Sequence, residues 1–348
     1  MKNNKNIKLL IVDDSLTIRK HVSKILNQEN DIEIIGEAKD GKEAVKKNIQ
    51  LTPDVILMDI IMPVMDGLDA VKQIMNSNPI PIIIHSASNE NGIKSKIWDA
   101  ITAGALDTIN KQDAETNPIK WENNLKRTIR AASRIKVKKQ SNNKKINNII
   151  PKNKPKEKYN LIAFGISTGG PAIISKILKF FPKNFDLPII LVIHMNSTGT
   201  DSFPEWLGEK SSIKVKFAQN HMNVFEQNGV CLVAPHNYHI KLNNNILKIF
   251  KSEPVNYCMP SIDVFFNSLA QNSIIKPIAV LLSGMGYDGA KGLKEIKENG
   301  GYTICQDEST SAVFGMPKAA IDINAANIVL PDYNIPNKIF SLLDMKNI

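Results

Sequence analysis

Residues 8–15 read Lys-Leu-Leu-Ile-Val-Asp-Asp-Ser: an apolar run of strand length that stops on two acids and a helix-capping serine. The pattern repeats outward from it. Lys8–Val12, Ile32–Glu37, Val55–Met58, Pro81–Ile84 and Thr108–Asn110 form short apolar runs, and helical periodicity fills the gaps, as in Leu16–Gln28 behind the Ser15 cap and in Gly67–Asn76. Near-continuous apolar strands alternating with helices predict a doubly wound parallel sheet, flavodoxin-like in this half. From Tyr159 the alternation resumes, with strands expected at Asn160–Phe164, Pro188–Ile193, Pro277–Leu282 and Tyr302–Cys305. Helices are expected at Ala172–Phe180 and at Gly289–Asn299, the latter closed by Gly300. This second half reads as Rossmann-like. Residues 213–251 look more β-like, and Leu242-Asn-Asn-Asn-Ile246 is a hairpin signal. The predicted class is α/β, with two doubly wound, mainly parallel-sheet domains. The expected division is 1–130, a linker at 131–158, and 159–348.

The chain has 348 residues and a formal charge of +10. Nearly all of that excess sits between Arg134 and Lys158, where ten basic residues face one acid, Glu157. The remainder is close to neutral, so the basic balance describes a solvated tether and not a nucleic-acid-binding domain. Cys231, Cys258 and Cys305 are far apart, with no C-x-x-C pair, which excludes a disulfide framework or zinc finger of the common kinds. Apolar runs stop at about eight residues, far below the ~20 of a membrane helix, and the N-terminal run is too short for a signal peptide. The expectation is a cytoplasmic protein with no membrane insertion and no nucleic-acid partner.

A parallel sheet gathers its strand C-termini on one edge, where ligands bind. In the first half that edge carries Asp13 and Asp14, Asp59, Ser86 and Lys111. Three clustered carboxylates repel one another unless a cation is bound, and oxygen-only ligands suit Mg²⁺. Asp59 can then act as a carboxylate nucleophile towards a phosphoryl group, with Ser86 and Lys111 holding its oxygens. The motifs IVDDS, LMDIIMPVMDG, IIIHSAS and AGALDTINK resemble those of a response-regulator receiver domain. That resemblance implies phosphorylation at Asp59 and an Mg²⁺ site of Asp13, Asp14, Asp59 and the Ile61 carbonyl. Thr108 stands where the family often has an aromatic residue, and Gln112 follows Lys111 where it usually has proline.

The second half contains AFGISTGGPA, with Gly165-x-Ser167-x-Gly169 between a strand and a helix. Such a turn can expose a nucleophilic serine, with backbone amides such as that of Thr168 facing an oxyanion. A glycine-rich loop before a helix can equally cradle a phosphate. Of the six histidines, His21 and His85 lie in the first half and suit surface or core roles. His221, His236 and His239 fall in the β-like region, and His194 closes the strand Pro188–Ile193. Asp288 follows the strand Pro277–Leu282, and Asp307, after Tyr302–Cys305, is its rival. Ser167, His194 and Asp288 all follow apolar strands, so one sheet edge can assemble them as nucleophile, base and orienting acid.

The stretches GISTGGP, IHM, VAPHNYHIKL, MPSIDVFF, LLSGMGYDGAKG and QDESTSAVFGMPKAA resemble the catalytic domain of the chemotaxis receptor protein-glutamate methylesterases, the CheB family. The resemblance implies that Ser167, His194 and Asp288 form the triad and that the Thr168 and Met285 amides form the oxyanion site. It also implies an esterase reaction without cofactor on methylated chemoreceptor cytoplasmic domains, with glutamine deamidation in some relatives. A chemotaxis histidine kinase would be the phosphodonor. Phosphorylation would relieve a closed, inhibited form. The competing reading is a non-catalytic, phosphorylation-controlled receptor-binding module. A DNA-binding regulator would need a basic recognition helix after the linker, where this chain has a strand and a glycine-rich turn.

Overall fold

The computed structural model describes residues 6–87, 91–135, 137, 159–195 and 200–345, with backbone alone at 91–94. Two compact units result. In the first, the chain runs β1 (Ile7–Val12), α1 (Leu16–Leu26), β2 (Ile32–Ala38), α2 (Gly41–Leu51), β3 (Val55–Met58), α3 (Gly67–Ser77), β4 (Ile82–Ser86), α4 (Asn91–Ala103), β5 (Asp107–Asn110), α5 (Asp113–Thr116) and α6 (Pro118–Ala132). The strands form one sheet in the order β2-β1-β3-β4-β5, and every pairing is parallel. Because helices cover both faces, β3 and β4 are buried throughout, which is why their sequences are continuously apolar. Ser15 caps α1 by accepting the Ile18 amide, as expected. Strand β4 starts one residue later than expected and runs through Ser86, because Ser86 pairs with Asn110 across the sheet.

The second unit runs β6 (Leu161–Ile166), α7 (Gly170–Leu178), β7 (Ile189–Ile193), α8 (Phe203–Glu209), β8 (Lys214–Phe217), β9 (Val230–Val233), β10 (His239–Asn243), β11 (Ile246–Phe250), α9 (Ile262–Ala270), β12 (Pro277–Leu281), α10 (Ala290–Glu298), β13 (Tyr302–Gln306), α11 (Met316–Asp322), β14 (Ile328–Leu330) and α12 (Ile335–Leu342). Seven strands pair in the order β14-β13-β12-β6-β7-β9-β8, all in parallel. Strands β8, β9 and β14 extend this sheet beyond the four strands expected from apolar runs. All three are short; β9 is apolar and mostly buried, whereas β8, which is partly polar, and β14 are half-exposed and depend on pairing with their neighbours. The hairpin signal is realised as β10–β11, a separate antiparallel pair whose Asn244 takes a left-handed conformation. Helix α7 begins two residues before the expected Ala172.

The core of this unit lies between α9, α10 and one face of the sheet, around Phe265, Phe266, Ile262, Leu281 and Leu293, all fully buried. Strand β6 therefore sits near the centre of a rigid sheet, with β7 and β12 on either side. Most of the expected linker lies outside the described residues; its first two positions, 131 and 132, close α6. No helix among the described residues is long and apolar enough to cross a membrane.

Candidate active site

Ser167 leaves the C-terminal end of β6 and is held from both sides. Its amide donates to the Ser283 carbonyl at 3.0 Å, and its carbonyl accepts from Gly170 at 2.8 Å. The turn passes through Gly169 at φ +74, a left-handed conformation that suits glycine, and a Cβ there would lie 2.4 Å from that of Ala312. Ile166 and Ile193 are register partners, so His194, the residue after β7, leaves the strand end next to the one Ser167 leaves, and its amide donates to the Ile166 carbonyl at 3.0 Å. On the other flank, the segment after β12 presses against the serine. A Cβ on Gly284 would come within 2.7 Å of the Ser167 Cβ, so only a residue without a side chain fits.

That segment delivers Asp288, which is 3% exposed. Its Oδ2 accepts from His194 Nε2 at 2.9 Å and from the Ile262 amide at 2.6 Å. Its Oδ1 accepts from the Ser261 hydroxyl at 2.8 Å, Asn256 Nδ2 at 2.7 Å and the Asp263 amide at 3.3 Å. The carboxylate thus sits on the N-terminus of α9, where helix amides and dipole favour negative charge. Burial opposes that charge, yet the His194 contact, Asn256 and the Ile262 amide outweigh it and hold Asp288 below the usual carboxylate range. An ionised carboxylate only accepts, so in the neutral ring Nε2 carries the proton and Nδ1 presents the lone pair. Nδ1 is the nitrogen that Asp288 leaves available. The Cys258 thiol lies 3.6 Å from it. Burial pulls the His194 pKa down, but its hydrogen bond to Asp288 and its contact with Cys258 prevail and raise it to about 9.

Ser283 ties the two halves of the site together: its hydroxyl donates to the Thr168 carbonyl at 2.8 Å and accepts from the Val313 amide at 2.9 Å. Among the described residues the amides of Thr168 and Met285 have no acceptor, and both belong to segments that touch Ser167. Asp307, the rival acid, is committed elsewhere: it accepts from Ser309 at 2.7 Å and from the Thr310 hydroxyl and amide at 2.7 and 3.0 Å. His239 is buried and accepts the Ser261 amide through Nδ1 at 3.1 Å, which supports the start of α9. Asn256, Cys258 and Ser261 were not singled out by sequence reasoning. Ser261 carries a capping signal ahead of α9, but nothing local indicates that its hydroxyl serves a carboxylate 27 positions later.

In the first unit, Asp13, Asp14 and Asp59 bring carboxylate oxygens within 4.8 Å of one another. Lys111 Nζ reaches Asp13 at 2.6 Å and Asp59 at 2.5 Å. Ser86 ends β4 on the same edge and is buried, and its carbonyl accepts the Lys111 amide at 3.2 Å. Burial pushes the Asp13 carboxyl above its usual range despite Lys111, and the Asp59 charge pushes the same way. Three carboxylates against one ammonium leave a negative, all-oxygen pocket, a donor set that fits Mg²⁺. His85 is buried against Trp121, where burial drops its pKa to about 3; it is a neutral core residue.

Residues 162–339 match the CheB methylesterase family, and residues 9–119 match the response regulator receiver domain. A protein-glutamate methylesterase/protein-glutamine glutaminase of Methanococcoides burtonii is 38% identical over 349 residues, covering 98% of this chain and 99% of that protein. The protein of the same name from Archaeoglobus fulgidus is 37% identical, again over 98% of this chain and 99% of its own length. The chain belongs to the CheB methylesterase family. It is a serine hydrolase with a response regulator receiver domain, of the chemotaxis and two-component signalling class. The crystal structure of the Thermotoga maritima CheB methylesterase catalytic domain is 37% identical over 53% of this chain and 98% of that one, with a TM-score of 0.49.

Proposed function

We propose that this CheB family member hydrolyses glutamate methyl esters on the cytoplasmic domains of chemoreceptors, releasing methanol, and that Ser167, His194 and Asp288 carry the reaction. The observation that supports this most is the oriented ring: Asp288 fixes the Nε2–H tautomer of the neutral imidazole and leaves Nδ1 for the serine proton, on a strand end adjacent to that of Ser167. Nδ1 takes the serine proton as Oγ attacks the ester carbonyl. The amides of Thr168 and Met285 stabilise the tetrahedral oxyanion. The imidazolium, stabilised by Asp288, then protonates the departing methoxide, and water hydrolyses the glutamyl-enzyme by the reverse use of the same base. A glutamine amide is a further acyl donor for this site, with ammonia as the leaving group.

The receiver regulates this activity by phosphorylation of Asp59, with a chemotaxis histidine kinase as donor. Asp13, Asp14, Asp59 and the Ile61 carbonyl hold Mg²⁺, which supplies charge neutralisation for the incoming phosphoryl group. Ser86 and Lys111 take its oxygens. The functional division is a receiver at 1–130, a basic tether at 131–158 and a catalytic domain at 159–348, and the protein works in the cytoplasm. Methanol release from methylated receptor membranes tests the reading. The purified chain should release methanol, and a phosphodonor with Mg²⁺ should raise the rate. Absence of release from intact, folded protein would overturn it.

A further inference from the structure

Cys258 is an unused functional group beside the catalytic ring. It stands four residues before the first residue of α9 and is half-buried, with Sγ 3.6 Å from His194 Nδ1 and 3.4 Å from the Asn256 carbonyl. Tetrahedral zinc, with Zn–N of about 2.0–2.1 Å and Zn–S of about 2.3 Å, holds its nitrogen and sulfur ligands about 3.6 Å apart. The observed separation is already of that size. In the neutral ring the tautomer is the required one as well, because Nε2–H is given to Asp288 and Nδ1 is the nitrogen on the sulfur side. A carboxylate that orients a ligating imidazole through its other nitrogen is the usual outer partner of a zinc-bound histidine. A carboxylate oxygen of Asp288 lies within 4.8 Å of the other two donor atoms.

We propose that His194 and Cys258 form a binding site for a thiophilic divalent cation such as Zn²⁺, with Asp288 as the orienting carboxylate, and that occupancy switches the hydrolase off. Water fills the remaining positions. The inhibition follows from one lone pair having two claimants: a metal on Nδ1 leaves no base for the Ser167 proton. Cys231 and Cys305 are fully buried and do not compete for the ion. The receiver carboxylates offer only oxygen, and excess Mg²⁺ fills them. The inhibitory part rests on the esterase reading above; the binding part does not.

The test uses the full chain in excess Mg²⁺, titrated with Co²⁺ and then Zn²⁺. Thiolate-to-cobalt charge-transfer absorption should appear in the wild type, be displaced by Zn²⁺, and be lost in Cys258→Ser and Cys258→Ala. Zn²⁺ should abolish methanol release reversibly with a chelator. In the Cys258 variants, half-inhibition should need at least tenfold more Zn²⁺, each variant being read against its own metal-free rate. No charge-transfer band in folded wild-type protein overturns the site, whether or not the enzyme hydrolyses methyl esters. A band that survives Cys258→Ser overturns the assignment to Cys258. Equal Zn²⁺ sensitivity of the wild type and Cys258→Ser overturns the inhibitory role.

Discussion

Asp288→Asn tests the site at its most constrained atom pair. The carboxylate accepts five donors; the Ser261 hydroxyl can turn its proton away and the His194 ring can shift its tautomer, but the Ile262 and Asp263 amides can do neither. If the new NH₂ takes the place of Oδ2, it faces the Ile262 amide and forces His194 to present Nε2 as an acceptor. The ring proton then moves to Nδ1, and the base is lost. If it takes the place of Oδ1, it faces Asn256 and the Asp263 amide. Either arrangement leaves a buried backbone donor unpaired, at a cost of about 1–3 kcal/mol in stability. Catalysis loses more. A raised His194 pKa of about 9 against the ordinary 6.5 bounds imidazolium stabilisation at about 3 kcal/mol, part of it owed to Cys258. Tautomer inversion supplies the rest of a kcat loss of about 10⁴-fold, or about 5.5 kcal/mol. Methanol release across pH is the assay. The low-pH limb, which reports deprotonation of His194, should move towards lower pH in the variant. In the wild type the pair's stabilisation is complete below pH ~6.5 and is lost as pH rises through about 9, so melting temperature should fall across that window more steeply than in the variant. A variant within tenfold of wild-type kcat, or one with an unmoved limb, would refute the reasoning.

Ser167→Ala should lose about 10⁴-fold or more in methanol release while its melting temperature stays within a few degrees. Asp307→Asn should cost about 1–2 kcal/mol through Ser309 and Thr310 and leave kcat within a few-fold, measured by melting and rate together. Gly284→Ala puts a methyl 2.3 Å from Met316 Sδ and 2.7 Å from the Ser167 Cβ; it should lower kcat at least 100-fold and destabilise by about 1–3 kcal/mol. Asp59→Ala should abolish phosphodonor stimulation while the unstimulated rate persists, and loss of the unstimulated rate as well would argue that Asp59 has a structural role.

Local chemistry was enough to mark the two sheets and the ends of their central strands. Runs such as Val55–Met58 and Ile189–Ile193 are apolar because both sheet faces are covered, and that burial leaves a pattern any reader of the chain can see. The same runs placed Asp59, Ser167 and His194 immediately beyond strands and Asp288 in the loop that follows one, and parallel pairing alone brings strand ends to one edge. The outer strands were less legible. Lys214–Phe217 and Ile328–Leu330 are short and half-exposed, so their pairing depends on neighbours distant in the chain. Strand-end placement alone does not separate Asp288 from Asp307; the resemblance pointed to Asp288, and packing shows that it meets a ring nitrogen while Asp307 caps its own loop. The donors around Asp288 come from residues 194 and 256–263, and Cys258 reaches His194 across 64 positions. Hydrogen bonds of that span leave no periodicity, because each needs only one suitable atom at one point in space, and the folded core decides where that point is.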